Sequence, residues 1–309
     1  MVKLVRIKKE NGDFMKARQF LILSTVLLLF LSSCSTFEKD KSQKSTDSEV
    51  INKDIIRILV VGVDSRGERK SRSDSILYVQ YHPYEEKVKV VSFMRDSYVD
   101  IPGYEWNKLN QAYFYGGIPL LEKTIKKNFG VTFDHHAVID FQAFSKIVDS
   151  VAPEGIEVEL TQNIIDNMAL PYTPGKVTLH GEELLKYARF RHDATSDFGR
   201  VERQQYILEQ ITTKISDKLH SLVGIGDLFG VWHNSKEYVD TSISGSDILK
   251  LGTSTLFTKM PSVETLRIPT NGSFQDQAFE HAGMVLQLDF EKNQNVLKEF
   301  LQETKQVSK

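Results

Sequence analysis

The run IIRILVVG at Ile55–Gly62 decides the reading of this chain, because two more of its kind, SILYVQY at Ser75–Tyr81 and KVKVVSF at Lys87–Phe93, follow close behind. β-Branched and aromatic residues suit a pleated, half-buried surface, and turn-like segments separate the three runs, so all three are predicted strands. Further on, the apolar period lengthens to that of a helix. PLLEKTIKKNF (Pro119–Phe129) opens on a proline, tolerated in a first helical turn, and stops at Gly130. Phe141–Val151 and Glu182–Arg189 read as helices in the same way, and Ile156–Leu160 and Thr265–Ile268 as further strands. Strands alternating with helices indicate an α/β domain, expected here as one mixed central sheet flanked by helices.

Arg200–His220 (RVERQQYILEQITTKISDKLH) places Val201, Leu208, Ile211, Ile215 and Leu219 on one helical stripe. Arg200, Arg203 and Gln204 share a neighbouring face near the start of that helix. There is no internal repeat and no sign of a second domain. The residues after about 240 read as a continuation of the same sheet and helices, ending in a helix at Asn293–Gln302. The folded domain is therefore expected to span residues 55–305.

Toward the N-terminus the character changes twice. Residues 35–54 (STFEKDKSQKSTDSEVINKD) are polar, mixed in charge and too poor in apolar side chains to fold, and read as a flexible tether. Before them, Phe20–Leu31 (FLILSTVLLLFL) follows a basic flank and is too short for an ordinary membrane span, but suits the apolar region of a signal peptide. Leu31-Ser32-Ser33-Cys34 then has the pattern of a lipobox, and Cys34 is the single cysteine of the chain. Residues 1–34 are accordingly read as a signal and lipoprotein anchor, with Cys34 as the lipidated residue. The alternative is an uncleaved signal anchor that borrows Ser32–Phe37. Either places the body on the extracytoplasmic face of the membrane, since the basic flank stays inside. Met15 opens a more usual signal (MKARQF), which leaves Met1 and Met15 as alternative starts.

Residues 1–34 carry six Lys/Arg and two acids, leaving 33 basic against 39 acidic residues in the remainder. A net negative body opposes nucleic-acid binding, which needs a surplus of cations on the binding face. An anionic substrate must then be met by a local cluster of arginines. The arginines are indeed bunched, at the ends of predicted strands and helices where open α/β sheets form their ligand crevices. They occur in Gly62-Val63-Asp64-Ser65-Arg66, Arg72-Ser73-Asp74-Ser75, Arg95-Asp96-Ser97, Arg189-Phe190-Arg191-His192-Asp193 and Asp197-Phe198-Gly199-Arg200. Taken singly, each has an ordinary structural explanation: a capping carboxylate, a solvated arginine or a local ion pair.

Taken in order, GVDSR, RSDS, MRDSYVDIPG, KLNQAY, YGG, DFQAF and YARFRHDATSDFGRVERQQ resemble the successive signature blocks of the LytR-CpsA-Psr domain. The resemblance runs from about Ile58 to Gln205, and LRIPTNGSF and GMVLQLDFEKN fit the family's C-terminal portion. Two places depart from the pattern: Met94 stands where the family usually has proline, and Ala152-Pro153-Glu154-Gly155 replaces a more glycine-rich turn.

The resemblance implies a phosphotransferase. Its substrate would be a polyprenyl pyrophosphate carrying an anionic glycopolymer, teichoic acid or capsular polysaccharide, split between its two phosphorus atoms. The glycan phosphate would go to peptidoglycan, with release of polyprenyl phosphate. Catalysis of such a step is mainly positioning and electrostatic stabilisation, for which the planar fork of arginine is well suited. Carried over by motif, Asp64 and Asp74 would hold Mg²⁺ or Mn²⁺, while Arg72, Arg95, Arg189, Arg191 and Arg200 would clamp the pyrophosphate, with Gln204 as a polar contact. Arg203 is a further candidate for binding, Lys123 another, and Asp197 a candidate general base. The isoprenoid would need an apolar slot between helices, lined by Phe141, Phe144, Ile147 and Val148 on one side and Ile207, Leu208 and Ile211 on the other.

Three rival readings stand beside this one. A pyrophosphate hydrolase would use the same metal and arginines with water as acceptor. A wall lipoprotein would hold the lipid-linked glycan without turning it over, and a transcriptional regulator is opposed by the signal segment and the negative body. No G-x-S-x-G elbow and no cysteine-pair zinc site occur in the sequence. His135 and His136 fall on opposite faces of an extended segment and are not expected to share a metal.

Overall fold

The computed structural model describes residues 55–64, 72–82, 87–192, 197–219, 222–235, 238–248 and 262–302. The anchor at Cys34, the tether, Ser65, Arg66 and Asp193 lie outside them. Six strands form a mixed sheet in the order β10-β3-β2-β1-β6-β9. These are β1 (Ile56–Val63), β2 (Ser73–His82), β3 (Lys87–Phe93), β6 (His135–Asp140), β9 (Val239–Thr241) and β10 (Ser262–Ile268). The three runs read from the sequence lie together within it, with β1 antiparallel to β2 and parallel to β6.

The chain does not continue in one sheet to its end, as the sequence suggested. β4 (Ser97–Val99), β5 (Asn107–Lys108), β11 (Phe274–Phe279) and β12 (Gly283–Leu288) form a second, four-stranded sheet. The passage between the sheets is the short segment Met94-Arg95-Asp96. The Met94 N–H donates to the Ile268 carbonyl at 2.8 Å, and the Asp96 carbonyl accepts from the Leu286 N–H at 2.9 Å. A proline at position 94 would lack the first of these bonds.

Each face of the six-stranded sheet has its own cover. Along β1, Leu59, Val61 and Val63 are buried in a core shared with Leu121 and Ile125 of α1 (Leu109–Phe129) and Leu297 of α7 (Phe290–Leu301). Helix α1 contains the predicted Pro119–Phe129 segment, preceded by a further helical stretch. Gly116 and Gly117 break the helical geometry between the two, and Gly117 takes φ 60°.

A second core lies among α2 (Phe141–Val151), α3 (Gln162–Met168), α4 (Gly181–Arg189), α5 (Asp197–Leu219) and the hairpin of β7 (Ile156–Leu160) with β8 (Gly175–Leu179). The Asp140 carboxylate caps α2 by accepting from the Ala143 N–H at 2.8 Å, a contact worth about 1 kcal/mol. The turn before β7 depends on glycine: Gly155 has φ 81°, and an added Cβ would stand 2.5 Å from Thr178 and 2.9 Å from the Leu179 carbonyl. Helix α6 spans Leu222–Ser235.

Candidate active site

Residues alternate across β1, so while Leu59 and Val61 enter the first core, Val60 and Gly62 face the other way. Together with Ser75 and Leu77 of β2 and Ile139 of β6 they floor a cavity of about 310 Å³. Its walls are helical: Phe141, Phe144, Ile147 and Val148 come from α2, and Ile207, Leu208 and Ile211 from α5. All seven residues expected to line an apolar slot do line it. The sheet floor was not foreseen, because a strand covered on both faces gives no alternation to mark which face borders a cavity.

The apolar slot ends in charge, at Asp74, Arg95, Arg189, Arg191 and Arg200. Asp74 reaches this position through a β-bulge: Gly62 pairs with Ser75 and Val63 with Ser73, which leaves Asp74 as the extra residue. A bulge re-aims the side chain it carries. Gly62 lets the two strands meet here, since a Cβ on it would lie 3.1 Å from that of Ser75.

Arg95 leaves β3 and donates to the Asp74 carboxylate, with Asp96 at 3.6 Å and Asp197 at 3.7 Å from its Nε. Burial disfavours the charged guanidinium, the largest single influence, yet Asp197, Asp96 and Asp74 together outweigh it and raise the pKa above the ordinary arginine value. Arg200 is nearly sealed from solvent and donates to Asp197 Oδ2 at 2.8 Å. Burial lowers its pKa, opposed by Asp197 and reinforced by Arg95 and Arg191. Arg191 Nε lies 2.8 Å from the second Asp197 oxygen. Asp197 therefore meets guanidiniums on both oxygens, a geometry that suits an organiser of arginines better than a proton acceptor.

Arg189 donates to Asp64 at 3.2 Å and stacks on the Phe141 ring, with Cζ 3.8 Å from its centroid. Gln204 links three elements: its amide donates to the Ala188 carbonyl at 3.3 Å, and its oxygen accepts from Ser75 Oγ at 3.2 Å. Arg203 points elsewhere. It donates to the Phe190 carbonyl beside the Phe190 and Tyr187 rings, where it braces the end of α4. Lys123 is exposed on α1 and lines neither this cavity nor the one beside it.

A second, polar cavity of about 470 Å³ shares Asp74 and Arg95 with the first. Arg72 lines it, with its guanidinium carbon 5.7 Å from the Phe114 ring centre. Asp96, Asn107, Lys108, Asn110 and Gln111 line it too, and Lys108 Nζ pairs with Asp96 at 2.9 Å. The KLNQAY block was visible in the sequence, but nothing in it assigned these residues a place beside Arg95.

Asp64 and Asp74 offer oxygen donors of the kind a hard divalent cation prefers, each already facing an arginine. No group of three His, Cys, Asp or Glu side chains suited to a metal occurs among the described residues. Mg²⁺ commonly takes one or two carboxylates and completes its shell with phosphates and water, and carboxylates are what these two residues offer. His135 and His136 lie on β6, where His136 Nε2 is 4.0 Å from an Asp240 oxygen.

An apolar slot closed by a cluster of guanidiniums is built for an amphiphile with an anionic head. The chain belongs to the LytR_cpsA_psr family, whose model matches residues 4–299. It is 37% identical over 265 residues to the Regulatory protein MsrR of Staphylococcus aureus, covering 86% of this chain and 80% of that one. It is 31% identical over 212 residues to the polyisoprenyl-teichoic acid–peptidoglycan teichoic acid transferase TagU of Bacillus licheniformis, covering 68% and 67%. Among solved structures it resembles the LytR-CPS2A-psr family protein YwtF (TagT) with bound octaprenyl pyrophosphate lipid. That match has a TM-score of 0.60 and 27% identity, over 84% of this chain and 92% of that one.

Proposed function

We propose that this protein transfers a glycan phosphate from a polyprenyl pyrophosphate carrier to a hydroxyl of peptidoglycan. The observation that carries this reading is the continuity of one cavity, apolar along α2 and α5 and cationic at Arg95, Arg189, Arg191 and Arg200. An isoprenoid in the slot would gain about 0.8 kcal/mol per buried methylene, while the guanidiniums meet its pyrophosphate. The teichoic acid transferase name of a 31% identical relative and the octaprenyl pyrophosphate bound in a structural neighbour support the same reading.

In the reaction, the acceptor oxygen forms a bond to the glycan-bearing phosphorus. The bridging P–O bond breaks, and its electrons leave with polyprenyl phosphate. The acceptor's proton passes to an oxygen of that departing phosphate. Arg95, Arg189, Arg191 and Arg200 stabilise charge spread over the phosphate oxygens, with Asp197 holding Arg191 and Arg200 in position. Gln204 orients the wall of the site, and Arg72 meets the donor or acceptor at the polar side. Asp64 and Asp74 would hold Mg²⁺ or Mn²⁺, which would supply further neutralisation of phosphate charge.

The glycopolymer is taken to be teichoic acid or capsular polysaccharide. The working position is the outer face of the membrane, with Cys34 as lipid anchor or residues 20–37 as signal anchor. No described helix is long and apolar enough to cross a membrane. Binding of octaprenyl pyrophosphate to the full chain, followed by native mass spectrometry with and without Mg²⁺, tests the donor site. The reading expects a one-to-one complex whose pyrophosphate is retained by wild type and lost in Arg189→Ala. Equal retention by both proteins, or no complex at all, contradicts it.

A further inference from the structure

Tyr115 and His281 line the polar cavity beyond Arg95, and each is joined to an exposed aromatic residue just outside that lining, an arrangement the donor reading does not use. Tyr104 is half exposed and stacks on Tyr115, with centroids 4.5 Å apart and planes 11° from parallel. Trp106, 41% exposed, leans on Tyr98, which itself stacks on Phe279 at 4.5 Å. His281 ties Trp106 to this lining: its Nε2–H donates to the Trp106 carbonyl at 2.9 Å, joining the segment before β5 to the turn between β11 and β12. Exposed aromatics restrained by stacking on neighbouring rings give up less freedom when covered, so a ligand gains apolar contact there at reduced entropic cost.

The polar cavity is also lined by Asn107, Asn110 and Gln111, whose neutral amides both donate and accept hydrogen bonds. The charges nearly balance, with Arg72, Arg95 and Lys108 set against Asp74 and Asp96. Such a surface is poorly matched to a polyanion. It is well matched to a sugar chain, whose ring faces present C–H groups to aromatics and whose edges present hydroxyls and acetamido groups to amides.

Position gives the occupant its role. The polar cavity and the apolar slot adjoin at Asp74 and Arg95, so a phosphorus held at Arg95 can be reached from either. An in-line displacement brings the attacking oxygen from the side away from the leaving group. With the polyprenyl phosphate departing toward the slot, that side is the polar cavity.

We propose that the cleft bordered by Tyr104, Trp106, Tyr115 and His281 binds the N-acetylhexosamine strand of the acceptor and presents its hydroxyl at Arg95. This rests on the transferase reading above, whose donor half is tested separately. Trp106 and Trp232 are the two tryptophans of the chain, so Trp232→Phe leaves Trp106 as a single fluorescent reporter. Chitotetraose, an uncharged N-acetylglucosamine oligomer, is the probe, titrated into the full-length Trp232→Phe protein. Saturable quenching or a blue shift is expected, with Kd raised about tenfold or more by Tyr104→Ala, the loss of one stacking contact. Octaprenyl pyrophosphate affinity should change less than about twofold in the same variant, since Tyr104 does not line the donor cavity. Octaprenyl pyrophosphate binding without any chitotetraose response overturns the platform and leaves the donor site standing. A Tyr104→Ala protein that loses both ligands equally overturns it as well, because the effect is then not local. Failure of octaprenyl pyrophosphate alone, with the sugar still bound through Tyr104, counts against the transferase reading and in favour of the platform.

Discussion

The Asp197 carboxylate and the Arg200 guanidinium, one helical turn apart on α5, meet at 2.8 Å with Arg200 almost wholly buried. A buried guanidinium is tolerable only with a partner, and the same carboxylate also holds Arg191. Asp197→Ala therefore leaves positive charges facing each other in a confined space. A stability loss of about 3–5 kcal/mol is expected, since the partner of a buried ion pair is removed. Urea unfolding checks it. Inorganic pyrophosphate should recover part of the loss by pairing with the freed guanidiniums, and the wild type should gain less from it.

Arg200→Ala should lower transfer by ~10²-fold or more, the usual cost of losing one preorganised donor to transition-state charge. Arg200→Lys keeps the charge but not the fork, and should fall between wild type and the alanine variant. Initial rates at saturating donor, measured for the three proteins, separate these outcomes.

Ile211 borders the slot from α5, on the second turn beyond Gln204. Ile211→Trp should fill part of the cavity without touching its charged end. Octaprenyl pyrophosphate is then expected to bind at least ~10-fold more weakly, as a displaced chain returns apolar surface to water. A short-chain prenyl pyrophosphate, which needs less of the slot, should lose much less. Equal losses for the two chain lengths would place the isoprenoid elsewhere.

Gly155→Ala tests the turn that launches β7. With φ at 81° and the Leu179 carbonyl 2.9 Å from the added carbon, the substitution strains both backbone and packing. A cost of ~1–3 kcal/mol is expected, read as a shift in urea midpoint. Gly103→Ala, also at positive φ but with open space around it, should cost less.

Burial pushes the Tyr78 hydroxyl up to about 12, against the pull of Arg57. An unfolded tyrosine ionises near pH 10, so between about pH 10 and 12 the unfolded chain gives up a proton that the folded chain keeps. This contribution is fully present below pH 10 and lost as pH rises through 12. At most about 3 kcal/mol is at stake. The fall in stability between pH 9 and pH 11 should be steeper in wild type than in Tyr78→Phe.

Much of this architecture can be read along the chain. β3, α2 and β7 have the boundaries their patterns predict, because each combines a clear period with a turn or cap at its ends. The second sheet escapes such reading for physical reasons. β4 and β5 have only three and two residues, and β11 (FQDQAF) has no buried residue, so no alternation marks it. The helical stretch before Gly116 was hidden by the glycines that interrupt α1. At the site, the family resemblance pointed to Asp74, Arg95, Arg189, Arg191, Arg200 and Gln204, and all six line one cavity, whereas Arg72 lines the neighbouring one. Arg203 and Lys123 could not be separated from them by sequence. A position one helical turn away, or an arginine turned onto a carbonyl, looks the same in a string of letters.

The most direct test combines the full-length protein with Mg²⁺, a polyprenyl-pyrophosphate glycan and peptidoglycan fragments, with Arg200→Ala as control and products followed by mass spectrometry. A glycan-phosphate-peptidoglycan adduct together with polyprenyl phosphate is expected, both absent from the control. Free glycan phosphate without an adduct, or intact lipid in both reactions, would contradict it.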